Sequence, residues 1–419
     1  MVEPKLRFPE FNRTWEISKI EDFVNEMRGG ASLRPKEILN SGDYKIIPKK
    51  SIQSGGKIVI DDNCSYVTSN VFKRFEKNQV DKTYLLVVLR DLVPTGPNIG
   101  YIVENDKVEN GILAQGVYGF KLSKGLNEQY LIQFSNTPKY RTIMRNIMVG
   151  STQVHIRNSS FLGVKIPYTS LAEQQKIAEF LSTIDTVIAK QKETVSAWEE
   201  RKKGVMQKLF SQEVRFKADD GSEFPEWEEK KLSEIASIHA RIGWQNLRKD
   251  EFLTDGNYLL ITGTDFCNGR VNLSTCYYVD KERYEQDKNI QVEDGTILVT
   301  KDGTLGKVAL VENLNKPATL NAGVFAIKVI HADTISKFLY HWLAAPMLLE
   351  YASKKSTGGT IKHLNQGILV DFPVGVPCLA EQQKIADCLS SLDEVIEKQK
   401  ATLAAWEELK KGLLQQMFA

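Results

Sequence analysis

The chain has 419 residues, with 42% hydrophobic residues, 26% charged residues and a formal net charge of +2. That balance is typical of a globular protein and excludes a uniformly basic nucleic-acid coat. No apolar run is long enough to span a membrane, and the N-terminal MVEPKLRFPEFNRTW lacks the apolar core of a signal peptide. We therefore expect a cytoplasmic protein of two to four domains without a membrane span. The five cysteines, without a CxxC pair, favour reduced thiols.

Residues 1–170 are predicted to form a mixed globular domain with a net charge of +7. Strand-like runs occupy 84–89 and 116–122, and a helix-like run occupies 127–134. The elements show no regular strand–helix alternation. We therefore expect a curved, mainly antiparallel sheet with helices on one side.

Residues 171–211 are predicted to form a long helix. Apolar residues alternate at spacings of four and three, which is the pattern of a heptad seam. Ser170 and Glu173 form a predicted capping box at its start. The seam positions on which the prediction depends are Ile177, Leu181, Ile184, Ile188, Val195 and Trp198.

Residues 212–378 are predicted to form a second domain of the same kind. Strand-like runs occupy 296–300, 307–311 and 323–329, and a helix-like run occupies 335–343. Glycine-containing turns, such as CNGR and KDGTLGK, separate the strands.

Residues 379–419 repeat the first long helix, with 26 of 41 positions identical when the segments are aligned without gaps. The second seam contains Ile385, Leu389, Leu392, Ile396, Leu403 and Trp406. Lys202 and Lys410 interrupt the two seams at equivalent places, and polar seam residues fix register and partner. We expect the helices to pair antiparallel within the chain; homodimerisation through the seams, or packing of each helix on its own domain, are the alternatives.

The sequence lacks the motifs of common catalytic sites. It has no phosphate-binding loop, no dinucleotide fingerprint, no target-base motif of amino-methyltransferases, no HExxH and no GxSxG. His155 and His363 are equivalent in the two repeats, but each stands alone, so we expect neither a metal site nor a catalytic residue.

Polar and basic loop-like segments remain in both domains, and they suit contact with DNA phosphates and base edges. A single such residue is more often a solvated surface charge, but the segments before both long helices match in position. The candidate DNA-binding residues are Lys49, Lys50, Lys57, Arg74, Arg141, Arg145, Thr152, His155, Arg241, Trp244, Gln245, Arg248, Arg270, Lys301, Thr304, Lys354, Lys355, Thr360, Lys362 and His363.

The most distinctive segments are LAEQQKIAEFLSTID with its copy LAEQQKIADCLSSLD, the AWEE segments of both helices, and the FPEF, FPEW and DGTLGKVA segments. In these segments and in its layout, the chain resembles the specificity subunit of type I restriction–modification systems. The resemblance covers essentially the full chain.

The resemblance implies an α+β chain in which two target recognition domains, 1–170 and 212–378, are separated by spacer helices at 171–211 and 379–419. Each domain would read one half of a bipartite, asymmetric sequence in double-stranded DNA. The helices would set the half-site spacing and dock two methylation subunits, and restriction subunits would join through the complex. The chain itself would hold no cofactor, since S-adenosylmethionine, ATP and Mg belong to the partner subunits.

Two alternatives stay open. One is a self-contained methyltransferase or nuclease fusion, which requires a cofactor motif that the sequence lacks. The other is a coiled-coil interaction scaffold with no role in DNA binding. In the first domain LRDLVPTGPNIG stands where the second has KDGTLG, with six extra residues, so we expect the two domains to read different half-sites.

Overall fold

The computed structural model describes residues 3–61, 63–355 and 363–418. The chain forms two compact units. The first contains Met1–Lys192 and Thr402–Ala419, and the second contains Glu193–Ala401. Each unit therefore consists of one globular domain together with a part of each long helix.

The first globular domain is built mainly from short strands. Its strands are β1 (Glu16–Lys19), β2 (Val24–Gly29), β3 (Tyr44–Ile47), β4 (Tyr66–Val67), β5 (Gln79–Val80), β6 (Leu85–Val88), β7 (Arg90–Asp91), β8 (Ile102–Glu104), β9 (Gly111–Leu113), β10 (Val117–Leu122), β11 (Val154–His155) and β12 (Lys165–Tyr168). Its helices are α1 (Ser69–Arg74), α2 (Glu128–Ser135), α3 (Pro138–Ile147) and α4 (Asn158–Leu162).

The first long helix, α5 (Leu171–Phe210), follows directly. The second domain contributes β13 (Glu228–Lys231), β14 (Ala236–Ala240), β15 (Tyr258–Ile261), β16 (Phe266–Cys267), β17 (Arg270–Val271), β18 (Tyr277–Val279), β19 (Gln291–Val292), β20 (Ile297–Thr300), β21 (Val308–Leu310), β22 (Ala318–Leu320), β23 (Val324–Val329) and β24 (Pro373–Val376). Its helices are α6 (Leu232–Ile235), α7 (Lys281–Glu285), α8 (Ser336–Ala344), α9 (Met347–Lys355) and α10 (Gln366–Val370), and the second long helix is α11 (Leu379–Met417).

The two domains share one sheet topology. In the first, strands pair in the orders β2-β10-β6-β8 and β4-β3-β9-β5; in the second, the matching orders are β14-β23-β20-β21, extended by β17 and β16, and β18-β15-β22-β19. Most pairs are antiparallel, but β3–β9, β15–β22 and β17–β21 are parallel. The expectation of one curved sheet is thus corrected to two larger sheets in each domain, beside the two-stranded sheets β1–β12 and β7–β11 in the first domain and β13–β24 in the second. A parallel pair joins segments distant in the chain, which local patterns do not reveal.

The strand and helix patterns of the sequence are confirmed where apolar runs are continuous. β6 is buried at every position, as is β20, because both lie inside a sheet that is covered on both faces. The helix-like runs correspond to α2 and α8. Asn127 caps α2 by accepting a hydrogen bond from the Tyr130 backbone N–H at 2.9 Å.

The predicted capping box at the start of α5 forms only in part. The Glu173 backbone N–H donates to Ser170 Oγ at 3.4 Å. The Glu173 side chain does not reach back to the cap, because its carboxylate is buried among stronger donors from the first domain, described below.

The predicted seam faces inward along both long helices. Ile177, Leu181, Ile184, Ile188, Val195, Ile385, Leu389 and Ile396 are buried. Trp198, Leu392, Leu403 and Trp406 are half-buried. Towards the C-terminal end of each helix, the buried residues are Met206 and Leu209 in α5 and Leu414 and Met417 in α11.

The C-terminal ends of the long helices complete the domain cores. In the first unit, Phe418 packs against Tyr130 and Phe134, with ring centroids 5.0 and 5.7 Å apart. In the second unit, Phe210 packs against Trp342 with centroids 4.9 Å apart. Each core therefore contains the start of the helix that follows its own domain and the end of the other long helix.

Candidate nucleic-acid interface

A buried glutamate at the start of each long helix attaches that helix to its domain. Glu173 is fully buried and receives hydrogen bonds from Arg7 Nε at 2.7 Å and Nη2 at 2.9 Å. Trp15 Nε1 donates to the same carboxylate at 3.3 Å and Thr169 Oγ1 at 2.7 Å. Burial raises the pKa of Glu173, but the hydrogen bonds from Arg7, Thr169 and Trp15 together outweigh burial and hold the pKa below its ordinary value.

The second unit repeats this attachment. Glu381 is fully buried and receives bonds from Arg215 Nε at 3.1 Å and Nη2 at 2.8 Å, and from Trp227 Nε1 at 3.0 Å. Pro377 stands where the first unit has Thr169, so the hydroxyl donor is missing. Arg7 and Arg215 are separated by the same number of residues as Glu173 and Glu381. This matching separation is the sequence signal from which the two arginines could have been predicted.

The neighbouring glutamines fix the direction of each helix relative to its domain. Gln174 Nε2 donates to Thr169 O at 2.8 Å and Gly125 O at 3.1 Å, while its Oε1 accepts from Asn127 N at 2.8 Å. Gln382 makes the same three kinds of bond to backbone atoms of the second domain. Because these bonds go to backbone atoms, they survive side-chain differences between the domains.

Charged pairs join the two long helices within each unit. In the second unit Lys202 Nζ lies 2.5 Å from Asp393 Oδ1, and Lys400 Nζ lies 2.6 Å from Glu199 Oε1. From one pair to the other, the residue number increases along α5 and decreases along α11, so the two helices run antiparallel in this unit.

The first unit contains the repeat-related pairs. Lys410 pairs with Asp185, and Lys192 Nζ lies 2.8 Å from Glu407 Oε1. The lysines that interrupt the predicted seams are therefore neutralised by an aspartate of the facing helix, which disfavours a shifted register.

A basic cluster lies on the first domain around β7 and β11. His155 is paired with Arg90 in register, and Arg90 Nη2 lies 3.4 Å from Gln153 Oε1. The Lys49 side chain also lies close to Arg90, because both residues border Gly116. A Cβ atom built on Gly116 would contact Lys49 and Arg90. Partial burial lowers the pKa of Lys49; attraction to Asp91 opposes this shift and repulsion from Arg90 adds to it.

This cluster joins two predicted residues, Lys49 and His155, with two that sequence reasoning missed. No local sequence pattern distinguishes Arg90 and Gln153 from ordinary surface residues. Thr152 is exposed beside Gln153.

The other candidates of the first domain are separate surface groups. Lys50 pairs with Asp61, Lys57 with Asp106 and Arg74 with Glu37. Arg145 is exposed at the end of α3.

Arg141 has a structural role in the first domain. Its guanidinium lies 3.7 Å from the centre of the Tyr101 ring and donates to Ile99 O at 2.7 Å. Burial lowers its pKa from the ordinary value.

Two candidates of the second domain are corrected by the structure. Arg241 is 1% exposed and donates to Leu320 O, Gln245 O, Gln286 Oε1 and Thr319 Oγ1. Gln245 is 3% exposed and donates to Asp287. Both side chains hold the domain together from inside, so neither is positioned to contact DNA.

The remaining candidates of the second domain are mostly on its surface. Arg248, Thr304, Lys354 and Lys355 are exposed. Arg270 pairs with Glu312, and Lys301 lies over the Phe325 ring. Thr360 and Lys362 lie outside the described residues, as does the side chain of Trp244.

His363 occupies the place of His155 but has a different neighbour. Its Nδ1 lies 2.7 Å from Asp302 Oδ1, whereas His155 is beside Arg90. Equivalent positions of the two domains thus carry opposite charge, which gives the two surfaces different preferences for a ligand.

Within residues 3–61, 63–355 and 363–418, no group of three or more His, Cys, Asp or Glu side chains is arranged to hold a metal ion. Across that same part of the chain, no helix is both long enough and apolar enough to cross a membrane.

Comparison with known proteins agrees with the repeated architecture. A family model described as the type I restriction modification DNA specificity domain matches residues 12–196 and 225–405. The type I restriction enzyme MjaVIII specificity subunit of Methanocaldococcus jannaschii is 24% identical over 421 residues, which cover 98% of this chain and 92% of that protein.

Two further proteins show the same similarity. The type I restriction enzyme EcoBI specificity subunit of Escherichia coli is 26% identical over 307 residues, covering 67% of this chain and 63% of that protein. Among solved structures, the S subunit of a type I restriction–modification system from M. genitalium aligns with a TM-score of 0.57 at 19% identity, covering 100% of this chain and 99% of that one. The structural likeness shows that the fold is shared.

Proposed function

Because the chain belongs to the type I restriction modification DNA specificity family, we propose that each globular domain reads one half of a bipartite, asymmetric DNA target. The long helices set the distance between the half-sites and provide the surface on which two methylation subunits dock. Restriction subunits act through the resulting complex. The reactions and their cofactors, S-adenosylmethionine, ATP and Mg, belong to those partners.

The main support for this proposal is that the two repeats share the contacts of the long helices but differ in the charge of their surfaces. The carboxylate attachments at Glu173 and Glu381 recur with the same kinds of donors, and the lysine–aspartate pairs recur between the helices. The surface positions beside His155 and His363 instead change from arginine to aspartate. A conserved frame with dissimilar surfaces suits two matching partner subunits and two different half-sites.

The test is to map methylation in a host that lacks other DNA methyltransferases and carries this chain with its methylation subunit. Single-molecule sequencing should report one motif with two defined parts and a fixed gap. Replacing residues 17–168 with those of another family member should change one part only. That exchange keeps Arg7, Trp15 and α11, so that the replaced domain keeps the partners of its attachment to the helices.

Two results would contradict the proposal. A single continuous motif would rule out separate half-sites, and a change in both parts after the exchange would rule out independent domains. As a check on the division of labour, the purified chain with S-adenosylmethionine and target DNA should transfer no methyl group. Transfer without a partner would instead support a self-contained methyltransferase, and absence of sequence-dependent DNA binding with the partner present would support an interaction scaffold.

A further inference from the structure

The segment between β6 and β8 of the first domain is longer than the corresponding segment between β20 and β21 of the second, although equivalent hydrogen bonds anchor the ends of both. Leu89 N donates to Gly116 O and Gly100 N to Val88 O in the first domain; Lys301 N donates to Gly323 O and Gly306 N to Thr300 O in the second. Ten residues separate the first pair of anchor positions and four separate the second. The first domain therefore carries a longer loop, 90–99, at a matching place.

This loop is held in shape by its own hydrogen bonds. Asp91 Oδ1 accepts from Leu92 N at 2.7 Å and from Val93 N at 3.3 Å, and Gly96 N donates to Val93 O at 2.9 Å. Arg141 ties the far end of the loop by donating to Ile99 O at 2.7 Å. These hydrogen bonds fix the backbone on both sides of the loop tip, Leu92 and Val93. A fixed backbone lowers the entropy cost of binding through these side chains.

The tip is apolar and exposed. Leu92 is 61% exposed and Val93 48% exposed, and neighbouring Val149, which bridges to His155, is 41% exposed. In the second domain the corresponding short turn has one apolar residue, Leu305, and that residue packs against the core. The exposed aliphatic tip is therefore a feature of the first domain that the repeat does not explain.

The basic cluster of Lys49, Arg90 and His155 flanks this tip. Lys49 and Arg90 converge at Gly116, and His155 is paired with Arg90. Aliphatic side chains beside fixed positive charge fit a ligand with an apolar group beside phosphates. In the major groove of DNA, the thymine C5-methyl group is the apolar feature of the base edges, and phosphates border the groove.

We propose that the 90–99 loop of the first domain recognises thymine methyl groups in its half-site through Leu92 and Val93, while Arg90 and Lys49 contact the flanking phosphates. The inference rests on the proposed function, because it concerns the half-site that the first domain reads. It assigns the loop to double-stranded DNA, and not to a partner protein, because Lys49 and Arg90 outnumber Asp91, whose carboxylate is already hydrogen-bonded to the backbone of the loop.

The experiment uses the complete complex with the methylation subunit and a duplex that carries the mapped target. Thymines of the half-site assigned to the first domain are replaced by deoxyuridine, which removes only the methyl groups. The tested variant is Leu92→Ser with Val93→Ser, and the matched control is Ile17→Ser, since Ile17 on β1 is 50% exposed. Because the substituted side chains are largely exposed, the domain should fold normally.

For the wild-type complex, deoxyuridine should weaken binding about four- to fifteenfold, the effect of losing one or two methyl contacts. The Leu92→Ser, Val93→Ser variant should bind the thymine duplex more weakly by a similar factor and should not distinguish the two duplexes. Ile17→Ser should behave like wild type. Sensitivity to deoxyuridine in the other half-site should be the same in all three proteins.

Several results would overturn the inference. The first is that the double variant binds the thymine duplex with wild-type affinity, and the second is that it loses affinity equally for the thymine and the deoxyuridine duplex. The third is that the mapped half-site contains no thymine, and the fourth is that the variant complex loses its methylation subunit. The last result would assign the tip to a protein partner. If the wild-type complex itself shows no preference for the mapped target, the proposed function fails as well, so the two failures are distinguishable.

Discussion

Replacing Glu173 with alanine tests whether the buried carboxylate fixes the first long helix to its domain. The substitution removes the acceptor of two bonds from Arg7 and of single bonds from Trp15 and Thr169. Breaking a fully buried ion pair costs about 3–5 kcal/mol. The Arg7 side chain is 18% exposed and regains some hydration, so we expect about 3 kcal/mol.

The assay is amide hydrogen exchange, because the loss should be local. If residues 5–19 and the first turns of α5 open in a concerted way, about 3 kcal/mol corresponds to roughly 100-fold faster exchange of their protected amides. The matched control is Glu381→Ala, which should accelerate exchange in the segment that contains Arg215 and Trp227 and leave residues 5–19 unchanged. Its effect should be smaller by about 1 kcal/mol, since Pro377 supplies no hydroxyl donor.

The reasoning would be refuted by exchange of residues 5–19 in the Glu173→Ala protein within twofold of wild type. It would also be refuted if Glu173→Ala and Glu381→Ala accelerated exchange in the same segments. The first outcome would mean that apolar packing alone holds the helix start in place, and the second would mean that the loss is not local to one attachment.

Three further predictions concern the helix frame. Because the pKa of Glu173 is lowered in the folded protein, its ionised carboxylate stabilises the fold at pH values above the unfolded-state pKa of about 4.3. This stabilisation is lost as pH falls through the folded-state pKa. Glu173→Gln should therefore make the free energy of unfolding less dependent on pH in the acidic range. His341 lies on α8, is buried, and has its Nε2 3.2 Å from Ser390 Oγ of α11; the 208-residue offset of the repeat matches it with Gln133 of the first domain. Burial lowers the pKa of His341 to about 3, with Lys202 adding to the shift, so the free energy of unfolding should fall as pH drops from about 6.5 towards 3. His341→Gln should remove that fall when thermal unfolding is followed against pH. Lys202→Asp should destabilise the helix pair by about 1–3 kcal/mol in denaturant unfolding, and adding Asp393→Lys should restore most of the loss; no recovery in the double variant would argue against a direct pair.

Much of the frame follows from local sequence patterns. The heptad seams predict α5 and α11, and the buried seam residues Ile177, Leu181, Ile385 and Leu389 lie where the spacing places them. The continuous apolar runs predict β6 and β20. These features are legible because a helix or a buried strand imposes a short period on its own residues.

The surface of the recognition domains was less predictable. Arg241 and Gln245 were expected to contact DNA because their composition suits it, yet both are buried with their polar groups bonded inside the second domain. Conversely, Arg90 and Gln153 join Lys49 and His155 on the surface without any local signal. Whether an arginine meets solvent or carbonyl groups depends on segments distant in the chain.

The sequence by itself determined the duplication, the two long helices and the equivalence of their polar interruptions, because repetition and periodicity are properties of neighbouring residues. Tertiary structure alone decided which groups those residues meet. The Glu173 side chain was expected to cap the start of α5, but it binds Arg7, which is 166 positions away in the sequence. The end of α11 completes the first core, and the 90–99 loop carries Leu92 into solvent. Each of these outcomes is a competition among non-local partners for burial and hydrogen bonds, and only the folded chain brings those partners together.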